Sequence, residues 1–128
     1  MNMAVVSVST YVIKYEKQKE FQALMKKFLR FKKANPKIFE GVKSFRLFQK
    51  EYGGVYGSYV EIWEFKGKEE MEKFNATMMK TMMKHKEMKE IDTEFQKMVD
   101  HTTLTSSIWN TVAYTELALF CKFKNVLE

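Results

Sequence analysis

The chain has 128 residues and a mass of 15.3 kDa, with 45% hydrophobic and 30% charged residues, which excludes a disordered tract and fits one domain with a modest core. Its net charge of +6 favours approach to anions in general, but lysines at helical spacing read first as a solvated face. No apolar run nears the roughly 18 residues of a membrane span and no basic-then-apolar leader opens the chain, so a cytoplasmic protein without a membrane segment is expected.

Residues 3–15, MAVVSVSTYVIKY, are β-branched and free of breakers, and predict a first strand. Period two puts Val6, Val8, Thr10 and Val12 on one face and Val5, Ser7, Ser9, Tyr11 and Ile13 on the other. Residues 16–34 predict a helix, with Phe21, Leu24, Met25 and Phe28 at i, i+3, i+4 and i+7 and a stop at Asn35-Pro36. Residues 42–65 hold two alternating runs around Gly53-Gly54, the signature of a hairpin with a two-residue turn. That turn sets Arg46 opposite Glu61, Phe48 opposite Tyr59 and Ser44 opposite Trp63. The reverse face then pairs Phe45 with Ile62 and Leu47 with Val60.

Residues 67–83 predict a second helix with Met71, Phe74, Met78 and Met82 on one stripe. A further stripe of Met88, Ile91, Phe95 and Met98 continues it. A break is expected near 86–93, because Thr93 and Gln96 have capping-box spacing. Residues 101–107, HTTLTSS, read as a polar connector, and 107–120 as the last strand. The final CKFKNVLE suits a strand extension, a short helix or an arm onto a partner. The lone Cys121 excludes an intrachain disulfide and fits a reducing compartment.

The order strand, helix, strand, strand, helix, helical extension, strand is the split βαβ arrangement: a single α+β domain over 1–128 of ferredoxin-like topology. It has a four-stranded antiparallel sheet with helices on one face. The strands are apolar on both faces, so the uncovered face predicts a homodimer packed through its sheets.

The stretch YVEIWEFKGKEEMEKF, in which Tyr59, Glu61 and Trp63 run into a charged helix start, resembles the dimeric α+β barrel families, including antibiotic-biosynthesis-type monooxygenases. The resemblance implies a dimeric barrel and oxygenation of an electron-rich substrate without heme or metal, hence no cofactor. Many relatives carry a His early in the following helix, where this chain has Phe74 and Asn75. Heme-degrading relatives use an Asn on the first strand, where this chain offers Ser7 and Ser9. His85 lies too far along to substitute, and the segment 86–99 exceeds the minimal family domain.

The candidate site is an aromatic, Met-lined pocket between sheet and helices, built from Arg46, Tyr59, Glu61, Trp63, Phe74 and Met78. It would hold a small apolar or aromatic molecule, with Arg46 and Glu61 orienting a polar group. The plainer reading is a cross-strand Arg–Glu pair among packed aromatics, worth about 0.2–1 kcal/mol per pair. His85 and His101 have no metal-ligand spacing around them, so no metal is expected, and no catalytic residue is assigned. A non-catalytic dimeric module is the alternative. RNA-recognition domains share the element order, but their platform needs aromatics at i and i+2. Here Tyr56 and Tyr59 are three apart and Ser58 takes the second place, which argues against nucleic acid.

Overall fold

The computed structural model describes residues 3–115. The β-branched opening forms β1 (Val5–Ile13), and a single 3-10 turn at Tyr15–Lys17 leads into α1 (Gln18–Ala34). Then come β2 (Val42–Gln49), β3 (Ser58–Phe65), α2 (Lys68–Lys84), α3 (Lys86–Met98) and β4 (Val99–Asn110). Among the described residues the strands make one antiparallel sheet in the order β2-β3-β1-β4, the predicted ferredoxin-like topology. This sheet is open and does not close into a barrel within one chain.

The helices lie on the face that carries Val5, Tyr11 and Ile13. They contribute Phe21, Leu24, Phe28 and Phe31 from α1, Met71 and Phe74 from α2, and Met88, Ile91 and Met98 from α3. Two aromatic groups organise this core. Tyr11 stacks on Tyr59 (6.2 Å between ring centroids), with Phe21 at 4.7 Å from Tyr59 and Phe95 edge-on to Tyr11 at 5.1 Å. Trp63 gathers Phe45 (4.7 Å), Phe74 (5.3 Å) and Phe28 (5.9 Å), and stacks on Phe39 at 6.3 Å. Such pairs add about 0.5–1.5 kcal/mol each beyond their buried area.

Four expectations are corrected. The β2–β3 connection is not a two-residue turn: β2 ends at Gln49, β3 begins at Ser58, and the Lys50 amide donates to the Ser58 carbonyl (2.9 Å). Leu47 therefore opposes Glu61, Phe45 opposes Trp63, and Arg46 opposes Ile62. Gly53 and Gly54 do have positive φ, but Gly57 fixes the start of β3. Its φ is +84°, its carbonyl accepts from the Ile13 amide (2.9 Å), and a Cβ there would meet the Ile13 carbonyl and the Gln18 amide. The first strand, not the glycine pair, sets the register.

Residues 101–107 are strand, not connector. Their hydroxyls pair across the sheet: Ser106 with Ser9 (2.9 Å) and Thr105 with Thr10. The β1–β4 ladder is irregular between Thr10 and Val12, where the Val12 amide donates to the Thr103 hydroxyl (2.9 Å). A polar β-branched run thus makes a strand when its hydroxyls find cross-strand partners. The strand ends at Asn110, and the predicted continuation over 116–120, Cys121 and the tail lie outside the described residues.

The helix break falls at His85, next to the expected stretch, but not through the expected cap. Its extended backbone (φ −102°, ψ 105°) closes α2, and its amide donates a 2.7 Å hydrogen bond to the Thr81 carbonyl. Thr93 sits inside α3 and donates to the Lys89 carbonyl instead of capping.

Candidate functional site

Ser7 and Ser9 explain why the core is hollow. They occupy the helix-facing side of β1 between Val5 and Tyr11, where the pattern calls for large apolar groups. Two hydroxymethyl groups cannot fill that layer, and the helices stand off over a cavity of about 320 Å³. The walls are apolar: Phe28 and Met25 from α1, Phe74 and Met78 from α2, Met88 and Phe95 from α3. Asn75 and Gln96, both exposed, mark its mouth, where Gln96 also donates to Asp92 (3.4 Å).

Glu61 lies on the floor, across from Ser9 on one side and Leu47 on the other. It stands where the two aromatic groups meet, between Tyr59 and Trp63 on one face of β3. Its carboxylate accepts the Trp63 Nε1–H at 2.9 Å. Burial pushes the Glu61 carboxyl above the ordinary carboxylate range, and the Trp63 donor pulls only partly back. No ion pair to Glu61 occurs among the described residues. The Tyr11 hydroxyl beside it is buried, with no partner at hydrogen-bond geometry. Burial and then the Glu61 charge raise the Tyr11 phenol above its usual value.

Of the residues expected from sequence, Glu61, Trp63, Phe74 and Met78 come together around the cavity. Tyr59 does not line it. Its ring packs behind Tyr11, and its hydroxyl donates to Gln18 Oε1 (2.8 Å), whose amide donates to the Ile13 carbonyl (2.7 Å). Arg46 is on the opposite face of the sheet, exposed, with its guanidinium 6.0 Å from the Phe48 ring centre. The missed register slip accounts for that separation. Sequence reading also passed over Ser7, Ser9 and Tyr11 as site residues. The legible signal was a Ser-x-Ser pair on a face otherwise made of large side chains.

His85 packs edge-on against Phe31 (4.8 Å) away from the cavity lining. No group of His, Cys, Asp and Glu suited to a metal occurs among the described residues. The open face of the central strands carries Val8, Thr10, Val60 and Ile62, none of them aromatic. No described helix is long and apolar enough to cross a membrane.

No family model and no curated protein matches the chain. Solved structures do. A NIPSNAP family protein from Agrobacterium tumefaciens shares 10% identity at a TM-score of 0.68, over 90% of this chain and 91% of that one. A candidate antibiotic biosynthesis monooxygenase from Caulobacter crescentus shares 12% at 0.64, over 88% and 92%. A dimeric ferredoxin-like protein from an uncultured marine organism shares 16% at 0.62, over 89% and 100%. At such identities the likeness shows a common fold.

Proposed function

We propose that this chain binds a small apolar molecule with an aromatic or similarly flat body in the cavity between sheet and helices, anchored by one hydrogen bond to Glu61. The observation that carries this reading is a hollow of about 320 Å³ with a single carboxylate on its floor. That volume is at the small end of ligand pockets and suits one or two rings. Apolar walls supply affinity, and Glu61 supplies orientation. Titration of hydrophobic aromatics into a Trp109→Phe variant reads Trp63 alone. A saturable change is expected, lost on Ser9→Phe, which fills the hollow without adding a tryptophan. A flat response across the panel overturns the reading.

A second copy covers the open face of the sheet in this proposal. Val6, Val8, Val60 and Ile62 lie there, with Phe48 46% and Trp109 60% exposed in the lone chain. The marine protein of the same fold is described as dimeric. Sedimentation of the wild type as a dimer, and of Ile62→Asp as a folded monomer, is expected; a wild-type monomer at micromolar concentration overturns the pairing.

Oxygenation is a second reading, favoured by a carboxylate that burial makes ready to take up a proton. Glu61 would accept a proton from an activated CH2 of the substrate, and the electron pair left behind would reduce dioxygen. A carbonyl and one water result, so the balance needs no other reductant. Dioxygen uptake with an electron-rich aromatic, absent in Glu61→Gln, tests it; equal uptake by the variant overturns it.

A further inference from the structure

The chain carries 22 lysines and arginines and a net charge of +6. Among the described residues, none of the side chains lining the cavity is Lys, Arg or His. The ionisable ones are Glu61 on the floor, Asp92 near the mouth and the Tyr11 phenol. A protein this basic has nonetheless kept its hollow free of cations. A ligand with a carboxylate or phosphate would bring a like charge to Glu61 and meet no counter-charge. A neutral alcohol or phenol can hydrogen-bond to Glu61 beside the Trp63 donor, but it brings no counter-charge to the buried carboxylate.

Building on the ligand-site reading above, we infer that the cavity takes a lipophilic amine, bound as its ammonium ion on Glu61 with its apolar body against the Trp63 and Phe28 rings and the methionines. Three features support the class. The ammonium neutralises a carboxylate that has no ion-pair partner. The faces of an aromatic group attract a cation through the ring quadrupole, most strongly at tryptophan. The remaining N–H donors find acceptors in the hydroxyls of Ser9, directly across from Glu61, and Ser7. The Tyr11 hydroxyl, buried and unpartnered beside Glu61, then turns to donate to the ionised carboxylate. Binding thus converts a costly lone acid into a hydrogen-bonded ion pair.

The test uses three probes with one body: 4-phenylbutylamine, 4-phenylbutanol and 4-phenylbutyrate, titrated by calorimetry into the full-length protein. The amine is expected to bind about tenfold or more tighter than the alcohol, and the carboxylate to show no binding. The amine's preference over the alcohol disappears in Glu61→Gln. In the wild type the amine's affinity rises with pH as Glu61 ionises, while the alcohol's does not. Equal binding of alcohol and amine, or a preference that survives Glu61→Gln, overturns the amine assignment and leaves the ligand site standing. Failure of all three to bind, with no change at Trp63, overturns both.

Discussion

The two faces of the sheet use the same four strands, yet one is roofed by helices and the other is left open. On the covered face very large side chains alternate with very small ones: Tyr11, Tyr59 and Trp63 stand beside Ser7 and Ser9. The mismatch leaves a hollow. On the open face the central strands carry Val6, Val8, Val60 and Ile62, all of middle size. A second hollow of about 270 Å³ lies on this face, walled by Thr10, Val12, Phe48, Ser58 and Val60, and no helix contributes to its wall. Cover by helices, more than volume, separates a hollow suited to a ligand from a surface left for another protein.

The comparison can be broken most sharply on the covered face. Phe21 is 1% exposed and joins α1 to the Tyr59 ring. Phe21→Ala is expected to cost about 3–5 kcal/mol in urea unfolding, whereas alanine at the open-face Val60 should cost clearly less. Gly57 comes next, since it fixes which residues share a face. Gly57→Ala combines a left-handed φ with contact against the Ile13 carbonyl, and is expected to cost about 1–3 kcal/mol in the same measurement.

Glu61 sharpens the comparison through pH. Its folded carboxyl is raised from 4.5, so the stability it contributes is full below that value and lost as pH rises through the folded value. Glu61→Gln is therefore expected to flatten the pH dependence of unfolding and to be more stable than the wild type above that range. Identical pH profiles would contradict the burial of this acid. The smallest effect is expected at Arg46. Exposed on the far face, Arg46→Ala should change stability by less than about 0.5 kcal/mol and leave ligand-induced change at Trp63 intact.

Arg46 also shows how far the sequence could be read. Element order, helix stripes and the two faces of β1 follow from periodicity, because 3.6 and 2 are fixed by backbone geometry. The β2–β3 register does not follow. It depends on Gly57 meeting the end of β1 and Gln18, residues more than thirty positions away in the chain. One residue of slip moved Arg46 away from Glu61 and brought Leu47 in its place. β4 was hidden for a similar reason: His101–Ser107 looks like a loop until Ser9 and Thr10 supply hydroxyl partners. Glu61, Trp63, Phe74 and Met78 were found because each lies on a face that period alone assigns. Tyr11 was missed as a site residue because an orphan hydroxyl shows only in three dimensions.

Four methionines, Met25, Met71, Met78 and Met88, contribute to the cavity wall. Thioether chains are unbranched and turn about three bonds at little cost. The roof over the serines is therefore soft where the tryptophan and carboxylate beneath are held in place. Guests of different outline should be admitted with a shallow dependence of affinity on bulk, and a steep dependence on where their polar atom sits. The hollow would sort molecules by the position of one atom and forgive the shape of the rest.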